Sequence, residues 1–429
     1  MPPQIVIEPK SALIDEPLDI RLSDFEPASR ITLKAAMTDD AGQTWRSAAT
    51  FVTDTDGRVN VGAQTPSAGS YDIADAMGLV WSMQAETLKS HPTMFIQNKL
   101  TPLTIDLTAE VDGQVVAQTS GERVRLAEGI TRTILRERGL FGTFFQPPGS
   151  GSHPAVMLVS GSGGGINEGQ AALYAAHGYA ALTLAYFNYE SLPEKLVEIP
   201  LEYFETAIAW LQAQEHVDSD RLVVSGGSRG GELSLLLGSR YPQIRAVVAF
   251  VPSGVIWGGI GPAGADMRTA AWTYQGQALP FIPAVDIARM PELYEAFEQT
   301  NDPIPLAPGY RANFAAASNL DAATIPVENI NGSVLLISGE DDRMSPSATF
   351  SEQIIERLTR SRFPHTYKHY GYKGAGHLIR TPYVPTTTLA FYHPIRHRAM
   401  AFGGSPKDNA HANGDSWSRV LHFLETELG

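Results

Sequence analysis

Residues Val223–Pro242 read VVSGGSRGGELSLLLGSRYP. The stretch opens on an apolar run, passes through glycines around a single serine, and continues as an apolar segment of helical length. Gly226-Gly227-Ser228-Arg229-Gly230 matches G-x-S-x-G. Between a strand and a helix this pattern forms a turn too tight for side chains at its flanking positions, and the turn lifts the serine hydroxyl above the sheet edge. The start of the following helix then faces any negative charge that develops there. Glycine and serine are common, so the pattern alone is weak. The apolar strand before it and the helix after it make Ser228 a candidate nucleophile rather than part of an ordinary glycine-rich turn.

A serine nucleophile needs a base, and the base needs an acid to orient it. For a serine on such a turn, the chain order is Ser, then Asp or Glu, then His. Downstream, LLISGEDDRMSP is a buried strand followed by Gly339-Glu340-Asp341-Asp342. The acid is expected at the carboxyl end of that strand, as Asp342, with Asp341 as its rival. His377 lies in the small-residue loop Gly374-Ala375-Gly376-His377, 35 residues beyond Asp342 (377 − 342). That spacing leaves room for one helix and one strand. Among the 11 histidines, His365, His369, His393 and His397 are the alternatives, and they read as solvated polar residues.

The developing oxyanion needs donors. One is expected to be the backbone N–H of Arg229, just after the nucleophile. The other is expected from Ser160-Gly161-Ser162-Gly163-Gly164-Gly165, at Ser162 or Gly163, where glycines let bare N–H groups converge. This loop lacks the Lys-Ser/Thr of a P-loop and the spacing of a dinucleotide fingerprint.

The rest of the chain supports this frame. Its 429 residues exceed one ordinary core, so two domains are expected, 1–125 and 126–429. In the first, apolar residues alternate at Leu18, Ile20 and Leu22, at Ile31, Leu33, Ala35 and Met37, and from Leu103 to Val111. Alternation broken by turns such as Asp54-Thr55-Asp56-Gly57 predicts an immunoglobulin-like β-sandwich. In the second, buried strands at 155–159, 180–185, 245–250 and 334–338 alternate with helices at 171–177, 201–214 and 350–358. That alternation predicts an α/β domain with a mostly parallel sheet, and the serine turn between strand and helix makes an α/β-hydrolase domain the expectation. A final amphipathic helix is expected over 416–428.

Composition excludes several classes. A charge of −14 argues against nucleic acid as a bulk partner. The absence of cysteine removes disulfides, thiolate metal sites and a cysteine nucleophile. The N-terminus shows no signal-peptide pattern and no apolar run reaches membrane-spanning length, so a cytoplasmic protein is expected. No metal or cofactor is implied, and the oligomeric state is not legible.

With these residues in hand, the chain resembles the acyl-CoA thioesterase / bile acid-CoA:amino acid N-acyltransferase family. The likeness runs through IVIEPKSALIDEPLDIRL, MGLVWSM, GSGGG, AYFNYESLP, LEYFETAIAWL, SRGGE, IPVENINGSVLLISGEDD, GAGHLIRTPYVP and a late GG-x-P. Ser228-Arg229-Gly230-Gly231-Glu232 together with Asn188-Tyr189-Glu190 and Gly374-Ala375-Gly376-His377 is the specific combination. The resemblance implies a triad of Ser228, Asp342 and His377. It also implies one of two outcomes: thioesterases of the family pass the acyl group to water and use serine, whereas the bile acid N-acyltransferases pass it to glycine or taurine and use cysteine. Serine at 228 leans toward hydrolysis. The segment from 228 to 342 is long, 114 residues (342 − 228), and its part MPELYEAFEQTNDPIPLAPGY looks inserted, which bears on substrate identity.

That segment carries Trp257, Met267, Trp272, Tyr274, Leu279, Phe281, Ile282 and Met290. Trp257, Trp272, Tyr274 and Phe281 are candidates for acyl-pocket lining, with a packed cap core as the alternative. Glu190 and Glu232 are candidate buried carboxylates behind the site, or plain ion-pairing acids. Lys373 and Arg380 are candidates for meeting CoA phosphates. The expected activity is hydrolysis of acyl-CoA thioesters. The rivals are transfer to an amine acceptor, hydrolysis of oxygen esters, and a binding protein with a dead site.

Overall fold

A computed structural model describes residues 1–87, 92–261 and 266–429. The chain divides into two compact units. The first comprises Met1–Ala127, Arg380–Leu389 and Ser405–Gly414; the second comprises Glu128–Ile379, Ala390–Gly404 and Asp415–Gly429.

The first unit contains a three-stranded sheet of Gln4–Glu8, Asp19–Ser23 and Val59–Asn60, and a larger sheet built on Arg30–Thr38, Thr44–Val52, Leu103–Val111 and Gln114–Val124. Among the described residues, pairing is antiparallel except where Ser11–Leu13 joins Gln114–Val124. Period-two burial is the reason these segments are strands: Ile31, Leu33, Ala35 and Met37 are buried, as are Leu103, Ile105, Leu107 and Ala109. The late segment enters through side-chain hydroxyls. Thr387 Oγ1 donates to Met83 O (2.6 Å) and Thr388 Oγ1 to Thr93 O (2.8 Å).

The second unit is an α/β-hydrolase domain. Its sheet consists of β1 (Thr131–Leu135), β2 (Phe141–Gln146), β3 (His153–Val159), β4 (Ala180–Ala185), β5 (Val217–Gly227), β6 (Ile244–Phe250), β7 (Ser333–Gly339) and β8 (Tyr367–Tyr372). Among the described residues the order is β1-β2-β4-β3-β5-β6-β7-β8, and β2 alone runs against the rest. The helices named next belong to the same unit: α1 (Glu168–Ala176), α2 (Glu202–Gln212) and α3 (Arg229–Arg240) early, α4 (Pro291–Thr300) and α5 (Ala307–Ala316) between β6 and β7, and α6 (Ser347–Arg360) before β8. Residues of β4 and β7 are buried along their whole length, as a parallel strand covered on both faces requires. From β3 the chain crosses to β4 on one side, and from β5 to β6 on the other. The loops after β3 and β5 therefore diverge and leave a crevice at the carboxyl ends of the strands.

Two elements differ from expectation. The last helix, α7, spans Pro406–Leu428 rather than 416–428. Its start carries a signal: Ser405 Oγ accepts from Asp408 N (3.1 Å) and donates to Asp408 Oδ2 (2.6 Å), with proline at the first helical position. The Asn and Gly residues that follow disguise the periodicity. Between β8 and α7 lies an unforeseen hairpin of β9 (Ala390–His393) and β10 (Arg398–Ala401).

Candidate active site

Ser228 sits between β5 and α3 with φ 58° and ψ −119°, a left-handed conformation costly for any residue but glycine. Hydrogen bonds on both sides hold it there: Ser228 N donates to Phe250 O (2.8 Å), and Glu232 N donates to Ser228 O (3.0 Å). The flanking glycines are sterically required. A Cβ on Gly226 would lie 2.5 Å from Gly230 O, and one on Gly230 would lie 2.6 Å from both Ser160 O and Val159 O.

Asp342 and His377 emerge beyond β7 and β8, at the same carboxyl edge of the sheet as Ser228. His377 Nδ1 lies 2.8 Å from Asp342 Oδ2, and both side chains are buried. A carboxylate oxygen accepts, so Nδ1 carries a proton and donates it to Asp342. The carboxylate is itself held. Its Oδ1 accepts from Met344 N (2.8 Å) and Ser345 N (2.9 Å), and its Oδ2 accepts from Ser347 Oγ (2.6 Å). Asp341 is exposed and accepts from Gly404 N (3.0 Å). His377 N donates to Phe402 O (2.9 Å), and its ring stacks on Phe402 at 6.2 Å between centroids.

The glycine-rich loop after β3 lies against this turn. A Cβ on Gly161 would be 3.0 Å from Gly227 O and 3.6 Å from Ser228 Cβ. Gly164 N closes a turn onto Gly161 O (3.2 Å), and Asn188 Nδ2 donates to Gly163 O (2.8 Å). Among the described residues, the N–H groups of Ser162 and Gly163 have no protein acceptor. Arg229 opens α3, so its N–H has no acceptor within the helix.

His393 corrects the sequence reading. Instead of being solvated it is 1% exposed, and its Nε2 lies 3.0 Å from Ser162 Oγ. Its only sequence signal was a histidine within an otherwise apolar run, which spacing could not connect to a loop more than two hundred residues earlier. His369 is half-buried rather than solvated, with Nε2 at 2.7 Å from Ser338 Oγ.

Beneath the turn lies a buried charged group. Arg229 donates to Trp257 O (2.8 Å) and Gly258 O (2.9 Å) and lies 3.3 Å from Glu232 Oε1. Trp272 Nε1 donates to the same oxygen (3.0 Å), while Glu232 Oε2 has no partner among the described residues. Burial pushes the Glu232 carboxyl up to about 7, although Arg229 and Trp272 pull it down. Glu190, by contrast, is exposed and paired with Arg136, which holds its carboxyl below the usual range.

The residues expected to line an acyl pocket separate. Trp257 and Trp272 are fully buried in packed interior. Trp257 donates to Ser253 Oγ (2.8 Å) and meets Tyr310 edge-on at 4.7 Å, while Trp272 packs on Tyr186 and Phe204. Tyr274 lies under the guanidinium of Arg240, 3.8 Å from the ring centroid. Arg240 ends α3, about 18 Å of helix from Ser228. Phe281 is half-buried on the main core. Lys373 is exposed, and Arg380 belongs to the first unit. Among the described residues no cluster of acidic or histidine side chains could hold a metal, and no helix is long and apolar enough to cross a membrane.

Residues 199–429 match the family described as BAAT / acyl-CoA thioester hydrolase C terminal, and residues 15–137 match the acyl-CoA thioester hydrolase/BAAT N-terminal region. The chain is 29% identical over 423 residues to mitochondrial acyl-coenzyme A thioesterase 2 of Mus musculus, covering 97% of this chain and 87% of that protein. It is 30% identical over 434 residues to acyl-coenzyme A amino acid N-acyltransferase 1 of Mus musculus, covering 99% and 98%. Peroxisomal succinyl-coenzyme A thioesterase of Mus musculus is 28% identical over 430 residues, covering 97% and 94%.

Proposed function

The chain belongs to the acyl-CoA thioester hydrolase/BAAT family, and from that premise we propose that it hydrolyses acyl-CoA thioesters to free acid and CoA. The observation that carries the reading is a serine in a strained strand-to-helix turn, at the same sheet edge as a histidine whose Nδ1 is 2.8 Å from a buried aspartate.

In this reading His377 Nε2 takes the proton of Ser228 Oγ as that oxygen attacks the thioester carbon. Asp342 keeps the ring in the productive tautomer and stabilises the imidazolium. The N–H groups of Arg229 and of Ser162 or Gly163 hold the tetrahedral oxyanion. The C–S bond breaks, His377 returns the proton to sulfur, and CoA leaves as thiol. Water then attacks the acyl-Ser228 ester, again giving its proton to His377. Collapse of that intermediate releases the acid and restores the serine.

Transfer to an amine is the second reading, because an N-acyltransferase is among the relatives matched over nearly the whole chain. Serine rather than cysteine at 228 favours water. The deciding experiment is thiol release from short- to long-chain acyl-CoAs by wild type and Ser228→Ala, with products identified by mass spectrometry with and without glycine or taurine. Chain-length-dependent release that Ser228→Ala abolishes, giving free acid, supports the proposal. Amide as the main product replaces it with acyl transfer. The absence of release from folded protein removes CoA esters as substrates. The expected cytoplasmic location belongs with this proposal, since relatives carry mitochondrial and peroxisomal names; imaging of the tagged chain tests it.

A further inference from the structure

The β9–β10 hairpin supplies none of the three residues Ser228, Asp342 and His377, yet it touches two of the loops that carry the chemistry. Just past β10, Phe402 O accepts the backbone N–H of His377 (2.9 Å). Phe391 of β9 stacks on the Phe402 ring at 4.6 Å with 9° between planes. Two residues further on, His393 reaches Ser162 Oγ in the glycine-rich loop (3.0 Å).

The proton on His393 is fixed by its surroundings. Nδ1 accepts two backbone N–H groups, those of Ile395 and Arg396, each at 3.2 Å. A nitrogen that accepts carries no proton, so Nε2 carries it and donates to Ser162 Oγ. Burial, with Arg396 and His397 close by, pushes the ring down to about 3, so it stays neutral and keeps this tautomer through the neutral range.

A run of six glycines and serines, Ser160 to Gly165, is conformationally loose. Donors stabilise an oxyanion only when they are already in place as its charge develops. The loop is pinned at Gly163 O by Asn188 and at Ser162 Oγ by His393. We propose that His393 is a positioning residue of the oxyanion loop, holding the Ser162 and Gly163 N–H groups toward Ser228 by donating Nε2–H to Ser162 Oγ. The inference rests on the reading of Ser228 as nucleophile.

The test is the second-order rate of labelling by an alkyl fluorophosphonate. Its phosphoryl oxygen draws on the same donors, and it needs no CoA. His393→Ala, Ser162→Ala, the double variant and His393→Gln are compared with wild type, with folding followed by thermal melting. His393→Ala and Ser162→Ala are each expected to slow labelling by about 10- to 100-fold, below the loss for deleting a donor outright. In acyl-CoA hydrolysis the loss is expected in kcat, with KM within about twofold. The double variant is expected to lose no more than the worse single, because His393 acts through Ser162. His393→Gln, which keeps an N–H donor and an acceptor, is expected within about threefold of wild type.

Labelling of either alanine variant at the wild-type rate, or losses that multiply in the double variant, would overturn the inference. Should His393→Ala fail to fold, Ser162→Ala and His393→Gln decide it by the same criteria. A wild-type chain that is not labelled at all removes Ser228 as nucleophile and the inference with it. A labelled wild type with unaffected variants removes the inference alone.

Discussion

The carboxylate of Asp342 lies 2.8 Å from Nδ1 of His377, while that of Asp341, one residue earlier, turns outward to the backbone N–H of Gly404. Asp342→Asn should therefore lower kcat for thioester cleavage by roughly 10⁴-fold, through loss of the productive tautomer. Asp341→Asn, at an exposed position, should stay within about threefold of wild type. Initial rates of thiol release from an acyl-CoA that the wild type cleaves separate the two, and equal losses would return Asp341 to candidacy.

Gly230 and Gly163 should respond oppositely to the same added methyl group. A Cβ on Gly230 would meet two backbone oxygens at 2.6 Å, whereas one on Gly163 would come no nearer than 3.8 Å to Pro394 Cγ. Gly230→Ala is expected to cost about 3 kcal/mol or to prevent folding, because backbone cannot swing aside as a side chain can. Gly163→Ala should stay within about 0.5 kcal/mol. Urea unfolding measures both, and a Gly230→Ala chain as stable as wild type would contradict the tight packing of the turn.

Glu232 should make stability fall as pH rises. Its folded-state value of about 7 lies above the ordinary 4.5, so between those values the folded chain holds a proton that the unfolded chain has lost. Its stabilising contribution is complete below pH 4.5 and disappears as pH rises through 7. The span amounts to about 3 kcal/mol as an order of magnitude. Thermal melts from pH 4 to 8 should show the difference between wild type and Glu232→Gln changing over this window. Parallel curves would place the carboxyl back in its ordinary range.

Trp272 should act on stability and not on substrate choice. Its indole N–H is committed to Glu232 Oε1, and its ring is enclosed by Tyr186 and Phe204. Trp272→Phe should destabilise by about 1–3 kcal/mol, since it leaves a buried carboxylate less satisfied. The preference among acyl chain lengths should be unchanged. A shifted preference with unaltered stability would restore Trp272 to the pocket lining.

Much of the second unit was legible because its signals are local. Strands β4 and β7 are continuous apolar runs, and helix α2 shows one apolar face. Ser228 stood out through glycines that its own turn requires. The hairpin and the first half of α7 did not stand out. The hairpin has two four-residue strands and little alternation, and α7 opens with asparagines and glycine behind a capping serine. The aromatic residues after β6 were open between two readings for a different reason: an apolar side chain looks the same in sequence whether it lines a pocket or fills a core.

The sequence by itself determined the alternation of the main strands and helices of the second unit, the candidate nucleophile with its flanking glycines, and the regions from which an acid and a base should come. These follow from sterics and periodicity over a few neighbouring residues. Only the tertiary structure decided which aspartate meets His377, that Glu232 is sealed under the turn while Glu190 is exposed, and that His393 reaches Ser162 across 231 residues of chain. Such pairings depend on which strands end side by side and which loops fold back over them. They are set by the packing of the whole domain, which no short stretch of residues encodes.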